Sequence, residues 1–321
     1  MNIAILGSTG SIGNSTLEVI RQNKKDFSIN LLTAKSNHKL LIEQCKEFNP
    51  EFVYLEDEQA RKVLEDNVSD RKLRTCVIKS TKEFEEVIGS NETDVVVAGM
   101  VGIAGLIPVH FAIQKGKKVL LANKESYVVA GEYLNNLCKE TGACIFPIDS
   151  EHSAIHQCLN NEENKSGVSR IILTGSGGPF LNKDINDFGS ITPEEAINHP
   201  VWSMGRKISV DSSTLMNKGL EIIEARWLFN CENIEVLIHP EGIIHSLVEF
   251  KDNSVLAQLS SPDMKIPIAY GLGYPKRINS GSEQLNLKEI KSLNFMEPDL
   301  KKFPCLKLAM DLLPIGGNSF S

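Results

Sequence analysis

The feature that most restricts the fold of this chain is a regular alternation of short apolar runs with amphipathic segments before residue 150. Apolar runs of this length are typical of buried parallel strands, and the longer segments between them have helical spacing. Strand and helix in alternation predict an α/β domain with a doubly wound, Rossmann-like parallel sheet. The predicted strands are residues 3–6, 29–33, 52–55, 94–98, 118–122 and 144–148.

The pattern after residue 149 is different and predicts a second domain of the α+β class. Residues 218–230 have the spacing of one strong helix, and the alternating runs 243–250 and 255–259 are typical of a β-hairpin. The predicted regions are a dinucleotide-binding domain at 1–149, a catalytic domain at 150–275, and a linker with the start of a helical region at 276–321. The helix expected at 304–313 has no evident partner on which to pack.

Composition excludes several classes of protein. With 321 residues the chain is long enough for two domains, and its net charge of -7 argues against a nucleic-acid partner. No apolar run reaches the ~18 residues of a membrane span, and no targeting segment is apparent before the strand-like residues 2–6. The seven cysteines include no C-x-x-C pair, which favours reduced thiols and a cytoplasmic location.

A glycine-spaced turn follows the first predicted strand, with glycines at positions 7, 10 and 13. Glycine lets the backbone turn sharply and approach a pyrophosphate, and the N-terminus of the next helix presents N–H groups to it. The spacing is G-x-x-G-x-x-G, so a tight strand-to-helix turn without a ligand is the alternative. The position of the turn after the first strand of an α/β pattern favours dinucleotide binding.

The end of the second predicted strand indicates which dinucleotide is bound. NAD-binding proteins place an acid there for the ribose 2′-hydroxyl, whereas residues 32–38 contain no acid and one lysine, Lys35. A cation at this position favours the 2′-phosphate of NADPH. A lysine that is only solvated is the alternative.

Acidic residues after the last predicted strand of the first domain suggest a metal site. If the strand at 144–148 continued in extended form, Asp149 and Glu151 would point to one side, where two carboxylates repel unless a cation intervenes. Glu221 and Glu224 share a face of the predicted helix. Three hard oxygen ligands favour Mg²⁺ or Mn²⁺ over zinc, and solvated surface acids are the alternative.

A second Gly-rich turn, at residues 174–179, combines hydroxyl groups with backbone N–H donors and suits a phosphate group. Ser212, Asn217 and Lys218 add two neutral donors and a cation near the start of the acid-bearing helix. Lysine near a helix N-terminus opposes the helix dipole, which suggests a functional reason for its presence. A simple hairpin turn is the alternative.

Residues 199–207 combine a large aromatic side chain, Trp202, with the flexible Gly205 and polar neighbours. This composition suits a lid that closes over a site and excludes water during chemistry. The alternative is that Trp202 belongs to a core.

Several long motifs make the chain resemble the 1-deoxy-D-xylulose 5-phosphate reductoisomerase family over residues 1 to about 310. The motifs are GSTGSIG (7–13), LLANKES (120–126), PIDSEHSAI (147–155), ILTGSGGPF (172–180), HPVWSMGRKISVDSSTLMNKGLEIIEARWLF (199–229), HPEGIIHSLVEF (239–250) and SVLAQLSSPDMKIPIAY (254–270). The long central motif is highly specific.

The resemblance implies a role for each matching residue. The implied metal ligands are Asp149, Glu151 and Glu221, with Glu224 and His245 as supporting candidates, and Lys124 joins the three acids in the catalytic set. The implied substrate contacts are Lys124, Ser150, Glu151, Ser176, His199, Ser212, Asn217, Lys218 and Glu221. The implied NADPH contacts are Thr9, Gly10, Ser11, Ile12, Lys35, Ser36, Asn37, Asn123, Glu125 and Gly205.

The resemblance also implies an activity. The family rearranges 1-deoxy-D-xylulose 5-phosphate by metal-assisted retro-aldol and aldol steps, then reduces the product with NADPH to 2-C-methyl-D-erythritol 4-phosphate in non-mevalonate isoprenoid biosynthesis. The expected assembly is a homodimer. Two departures stand out: the usual A-G-K-N is Ala34-Lys35-Ser36-Asn37 here, and the family's C-terminal helical bundle is expected to be absent from a sequence that stops at residue 321.

Two other functions stay open at this point. A semialdehyde-type NADP-linked dehydrogenase also uses G-x-x-G-x-x-G, but it needs an activated cysteine nucleophile, and none of the cysteines stands in a suitable Gly/Asn-rich turn. A protein that binds nucleotide and sugar phosphate without turnover is the second alternative. The intact set of acids and lysine counts against it.

Overall fold

The structure is a computed structural model that describes residues 1–70, 74–159, 165–202 and 204–315. Ser203 of the predicted lid lies outside the described residues. The chain divides into two compact units. The first contains Met1–Ile148 and Met264–Gly281, and the second contains Asp149–Asp263 and the chain from Ser282 onward. Every helix in the described ranges is too short or too polar to cross a bilayer.

Seven parallel strands form the sheet of the first unit, in the order β4-β3-β2-β1-β5-β6-β7. The strands are β1 (Asn2–Leu6), β2 (Ser28–Ala34), β3 (Phe52–Leu55), β4 (Cys76–Ile78), β5 (Val95–Ala98), β6 (Lys118–Leu121) and β7 (Cys144–Pro147). The helices are α1 (Ser11–Gln22), α2 (His38–Phe48), α3 (Glu58–Asp70), α4 (Thr81–Gly89), α5 (Leu106–Gln114), α6 (Lys124–Thr141) and α11 (Lys265–Gly273). The predicted doubly wound sheet is confirmed. Strand β4 is an addition to it, because an apolar run of three residues is too short to predict a strand.

Apolar strand residues form the core of this unit. Ile3, Ile5 and Val53 are completely buried, as expected for a parallel sheet covered on both faces. Helix α11 adds Ile268 and Leu272 to the same core. The compact unit therefore includes a segment that the sequence pattern assigned to the catalytic domain, because the apolar residues of α11 pack against α1, β6 and β7.

Strand β1 lies where the order of the sheet reverses. It pairs in parallel with β2 on one side and with β5 on the other. In open parallel sheets, ligands bind beyond the carboxyl ends of the strands at such a switch point. The glycine-spaced turn at residues 7–13 begins at this position.

The second unit contains a four-stranded sheet in the order β11-β10-β8-β9. Its strands are β8 (Val168–Gly175), β9 (Ile234–Ile238), β10 (Ile244–Phe250) and β11 (Val255–Leu259). Its described helices are α7 (Ser150–Leu159), α8 (Pro193–Ile197), α9 (Arg206–Ser213), α10 (Met216–Phe229) and α12 (Pro304–Leu312). The predicted hairpin is confirmed, since β10 and β11 are antiparallel. Strand β9 is an addition, and it pairs in parallel with β8.

Helix α12 corrects the expectation that a helix at 304–313 has nothing to pack on. Leu306 and Ala309 are buried, and α12 packs against α10. Gly219 makes the close approach possible, because a Cβ at that position would lie 2.9 Å from the Ala309 Cβ. The expectation is wrong because α12 packs on apolar residues of α10, such as Ile222 and Ala225, where Gly219 leaves room for it.

Candidate active site

The glycine-spaced turn of the first unit leaves little space for side chains. Gly7 has φ +83°, in the left-handed region that favours glycine. A Cβ on Gly13 would lie 2.4 Å from the Ser8 Cα, so a larger residue would push helix and strand apart. Helix α1 begins at Ser11, directly after Gly10, and its first N–H groups lack intrahelical partners. This geometry suits a phosphate group at the helix N-terminus. Thr9 and Ile12 are half-buried in the same turn.

The residues predicted to contact the ribose end lie directly after β2. Lys35, Ser36 and Asn37 are all exposed. The Asn37 side chain caps α2 by accepting a hydrogen bond from the Leu40 N–H at 3.2 Å. Lys35 thus stands at the carboxyl end of β2, where a 2′-phosphate would lie.

Asn123 is used within the protein in a way that the sequence did not indicate. Its amide donates to the carbonyls of Met100 and Gly102 at 2.9 and 2.8 Å, and to Glu125 at 3.0 Å. These bonds fix the loop that follows β5. Lys124, the next residue, is buried at the start of α6.

The three predicted metal ligands come together in the second unit. Ligand oxygens of Asp149, Glu151 and Glu221 all lie within 4.8 Å of one another. Glu221 is buried on α10, and Asp149 and Glu151 are half-buried. An all-oxygen set of three carboxylates fits a hard divalent cation such as Mg²⁺ or Mn²⁺.

The route by which these acids converge differs from the prediction. Strand β7 ends at Pro147 and helix α7 begins at Ser150, so Glu151 lies in the first turn of a helix. The extended geometry assumed for residues 149–151 is therefore wrong. The buried Ser150 hydroxyl donates to the Glu151 carboxylate at 2.5 Å and orients it.

Lys218 contacts two of the three acids. Its Nζ lies 3.0 Å from Glu151 Oε1 and also donates to the Glu221 carboxylate. Burial alone would lower the pKa of Lys218, but the two carboxylates outweigh it and raise that pKa. Burial would likewise raise the pKa of Glu151, but Lys218, together with the Ser150 hydrogen bond and His245, outweighs burial and the nearby Asp149 and holds that pKa below its ordinary value. Lys218 is therefore buried as a cation between two carboxylates.

A buried histidine lies beside this cluster. His152 Nε2 is 2.9 Å from the backbone oxygen of Glu221, and His152 Nδ1 is 3.1 Å from Glu224 Oε2. Burial alone would lower the pKa of His152, but Glu224, with Asp149 and Glu221, outweighs it and raises the pKa to about 9. The sequence alone indicates no role for His152, because a single histidine on a helix is more often a core residue. Its contact with the other helix exists only in the folded chain.

The Gly-rich turn after β8 meets the predicted phosphate residues. Gly177 and Gly178 have φ +89° and +69°. A Cβ on Gly178 would lie 2.6 Å from the Ser212 backbone oxygen, and one on Gly175 would lie 2.9 Å from Lys218 Cε. The turn can therefore approach both residues only because it lacks side chains. The Asn217 amide donates to the Glu221 carboxylate and so joins this region to the acids.

The predicted lid is attached to the Gly-rich turn through His199. His199 Nδ1 accepts from the backbone N–H groups of Val201 and Trp202 at 3.1 and 2.9 Å. The proton must then be on Nε2, which lies 3.2 Å from Ser176 Oγ and donates to it. Burial lowers the pKa of His199, and Glu151 opposes this only in part.

The rest of the lid segment has few close contacts. The Trp202 ring meets the His245 ring edge-on at a centroid distance of 6.0 Å. A cavity of about 500 Å³ lies between the turn and the lid segment, lined in part by Ser176 and Val201. Gly205 is exposed and precedes α9. A half-exposed segment beside open space suits a lid.

Burial makes three of the cysteines poor nucleophiles. Burial raises the pKa of Cys45 to about 12 and that of Cys158 to about 11. Burial raises the pKa of Cys138 to about 11 as well, and all seven thiols are free. A raised pKa suppresses the reactive thiolate, which argues against the semialdehyde-type dehydrogenase.

A glycine turn at a switch point, a three-carboxylate site and a phosphate-type turn define a metal-dependent, NAD(P)-linked oxidoreductase of a phosphorylated compound. Family models described as 1-deoxy-D-xylulose 5-phosphate reductoisomerase and its C-terminal domains match residues 3–131, 145–229 and 259–320. The chain belongs to the 1-deoxy-D-xylulose 5-phosphate reductoisomerase family.

Individual relatives agree with the family models. The 1-deoxy-D-xylulose 5-phosphate reductoisomerase of Actinobacillus pleuropneumoniae serotype 3 is 49% identical over 325 residues, covering 98% of this chain and 82% of the relative. That of Nitrosomonas eutropha is 48% identical over 323 residues, covering 99% and 78%. A crystal structure of DOX-P reductoisomerase with NADPH, fosmidomycin and magnesium has a TM-score of 0.94 and 45% identity, covering 98% of this chain and 80% of that one.

Proposed function

We propose that this chain converts 1-deoxy-D-xylulose 5-phosphate to 2-C-methyl-D-erythritol 4-phosphate, using NADPH and Mg²⁺ or Mn²⁺. The observation that carries the proposal is the convergence of Asp149, Glu151 and Glu221 within 4.8 Å, beside Lys218 and the Gly-rich turn. Family membership supports it, because a relative has been solved with NADPH, fosmidomycin and magnesium together.

The first unit holds the cofactor. The N-terminus of α1, with Thr9, Gly10, Ser11 and Ile12, receives the pyrophosphate. Lys35, Ser36 and Asn37 at the end of β2 receive the 2′-phosphate, and NADPH so held supplies the hydride for the reduction. The remaining proposed contacts are Asn123, Glu125 and Gly205. For Asn123, the hydrogen bonds to the loop after β5 favour an indirect role, in which it shapes the cofactor site.

The three carboxylates of the second unit hold the divalent cation. When bound, the cation supplies Lewis-acid stabilisation for negative charge that develops on the sugar oxygens during C–C bond cleavage. The pKa of Glu151 lies below its ordinary value despite burial, because Lys218 is close, so Glu151 can accept a cation without first losing a proton. The Ser150 hydroxyl orients Glu151, and it and Lys124 are the proposed contacts to the hydroxyl and carbonyl end of the sugar.

The Gly-rich turn and its neighbours hold the substrate phosphate. Ser176, Ser212, Asn217 and Lys218 supply hydroxyl, amide and ammonium donors around the turn. The phosphate is remote from the reacting carbons, so its binding energy can hold both fragments in place between cleavage and recombination. His199 and Trp202 then close over the site and exclude water.

The proposed assembly is a homodimer that forms in the cytoplasm. Strand β11 lies at the edge of the second sheet, and its apolar residues Val255, Leu256 and Leu259 are 46%, 47% and 36% exposed. An exposed apolar edge strand is a template for pairing with another strand. Sedimentation of a Leu256→Lys variant tests this: the proposal requires a shift toward monomer.

One assay tests the activity directly. NADPH consumption is followed at 340 nm with 1-deoxy-D-xylulose 5-phosphate, with and without Mg²⁺, and the product is identified by mass and NMR. The proposal requires metal-dependent NADPH oxidation and formation of 2-C-methyl-D-erythritol 4-phosphate. Nucleotide binding without oxidation in a single turnover would favour the non-catalytic alternative.

A further inference from the structure

We propose that His152 and Glu224 form a positioning pair that sets the distance between the metal-binding carboxylates. The inference rests on the proposed function, in which Asp149, Glu151 and Glu221 hold a divalent cation. Neither His152 nor Glu224 is a ligand in this proposal. Their role is to fix helix α7 against helix α10.

The ligands need such a connection because they come from different elements. Glu151 lies in the first turn of α7 and Glu221 lies on α10, so the spacing of their carboxylates depends on how the two helices are held. His152 directly follows Glu151, and Glu224 lies one turn beyond Glu221. The pair therefore joins the two helices at the level of the ligands.

The His152 ring contacts both helices at once. Its Nε2 lies 2.9 Å from the backbone oxygen of Glu221, and its Nδ1 lies 3.1 Å from Glu224 Oε2 and 3.9 Å from Asp149 Oδ2. A carbonyl oxygen only accepts hydrogen bonds, so Nε2 donates to the Glu221 carbonyl, while Nδ1 lies within ion-pair distance of the Glu224 carboxylate. The His152 ring thus restrains the backbone of the proposed ligand Glu221 and lies beside the carboxylate of the proposed ligand Asp149.

Burial makes a purely stabilising role a poor explanation. The side chains of His152 and Glu224 are both 0% exposed. A buried ion pair costs so much desolvation that apolar residues of similar volume are often equally stable or more stable. What an apolar pair cannot provide is directional contact with the Glu221 carbonyl. Groups that orient metal ligands in this way typically contribute 10–100-fold to metal affinity.

The direction in which one substitution changes the Mn²⁺ affinity distinguishes a positioning role from a purely electrostatic one. His152→Gln removes the imidazole from beside three carboxylates without adding a negative charge, so electrostatics alone predicts Mn²⁺ binding that is unchanged or, where the ring carried a proton, tighter. Positioning predicts weaker binding, by roughly tenfold or more. Mn²⁺ affinity is measured on the full chain without substrate, by electron paramagnetic resonance of free Mn²⁺, so the readout does not depend on turnover.

His239→Gln is the matched control. His239 is also fully buried in the second unit, but its Nδ1 contacts the Asn294 carbonyl at 2.8 Å and Glu241 at 3.0 Å rather than the ligands. It should change Mn²⁺ affinity by less than twofold even if its melting temperature falls. Because a Gln amide nitrogen can reach the Nε2 position, His152→Asn is the second variant: its amide nitrogen can occupy only the Nδ1 position, so the contact with the Glu221 carbonyl is lost.

A double-mutant cycle with Glu224→Gln completes the test. If the two residues act as a pair, the double variant loses about as much Mn²⁺ affinity as either single variant. Tighter or unchanged Mn²⁺ binding in the His152 variants, or losses that multiply in the double variant, would overturn the inference. Failure of the unsubstituted protein to bind Mn²⁺ would instead overturn the metal site of the proposed function.

Discussion

The Lys218 ammonium lies 3.0 Å from the Glu151 carboxylate, and both groups are shielded from solvent. The same ammonium contacts Glu221 and its methylene chain runs beside Gly175. Lys218 therefore belongs to the carboxylate site as much as to the phosphate turn. Replacing Lys218 should therefore affect both the carboxylate site and the phosphate turn, whereas replacing an isolated phosphate-binding lysine would affect phosphate binding alone.

Lys218→Met keeps the volume of the side chain and removes its charge. The Km for 1-deoxy-D-xylulose 5-phosphate should rise by roughly 10–100-fold, since a lost charge-assisted hydrogen bond is worth about 1.5–3 kcal/mol. Because Lys218 also holds the pKa of Glu151 down, the acid limb of kcat/Km should move to higher pH. An unchanged Km together with an unchanged acid limb would contradict both contacts. Lys251→Met, in the exposed turn between β10 and β11, is the control.

Glu221→Gln replaces one ligand with a neutral group of the same shape. NADPH binding, measured by fluorescence, should be preserved, because the cofactor residues lie mostly in the first unit. Metal-dependent turnover should fall by three orders of magnitude or more, since one of three anionic ligands is lost. Activity equal to that of the unsubstituted chain at ordinary Mg²⁺ concentration would show that these acids do not hold the metal.

NADPH should be preferred to NADH, because an exposed lysine and no acid follows β2. Lys35→Ala should reduce the preference by roughly tenfold, as expected for one charge-assisted contact of about 1.4 kcal/mol. The ratio of kcat/Km for the two cofactors measures the effect. Lys46→Ala, in the last turn of α2, serves as the control. An NADH preference in the unsubstituted chain would leave Lys35 with no role in recognition.

The lid should loosen as the pH falls, because His199 accepts two backbone N–H groups only when it is neutral. The pKa of His199 in the folded chain lies below its ordinary value of 6.5, so the neutral form is favoured by folding. Its contribution is fully present above pH 6.5 and is lost as the pH falls from there through the lowered folded pKa. The protection factors of Val201 and Trp202, which correct for the pH dependence of intrinsic exchange, should therefore fall at low pH. Protection that does not change between pH 7 and pH 5 would rule out the His199 contacts as the restraint.

The same segment should respond to ligand. NADPH with a phosphonate hydroxamate, whose two oxygens can chelate the metal, should slow hydrogen exchange across residues 199–207 by at least tenfold. Few apolar contacts hold this segment without ligand, so little protection is expected before binding. Strong protection in the ligand-free protein would place Trp202 in the core. Exchange in β8, which is already buried, provides the internal reference.

Much of the fold is predictable from the sequence, because its strands are apolar runs long enough to identify. Strand β4 is too short for that, and the packing of α12 depends on the absence of a side chain at Gly219. Hydrophobic pattern is therefore informative about elements and much less so about which elements touch. The placement of α11 in the first unit illustrates the same limit.

The candidate site is likewise predictable from the sequence only in part. Acids and glycines are recognisable because few structural roles require them at such spacing, and Asp149, Glu151 and Glu221 do converge. The acids converge because helix α7 begins at Ser150, and not because the strand continues in extended form. The order of the residues does not distinguish these two cases. The contacts of His152 and Asn123 with distant backbone atoms are visible only in the folded chain, although the family resemblance already names Asn123 as a cofactor contact.

The contact between Gly219 and Ala309 links parts of the chain that are far apart in sequence. Gly219 lies between Lys218 and Glu221 on α10, so a larger residue at either contact position would shift the helix that bears the metal ligand. Among related sequences, the sizes of the residues at these two positions should be inversely related, and substitutions at one should be accompanied by substitutions at the other. Helix α12, which carries none of the proposed site residues, thereby restricts the substitutions that α10 can accept.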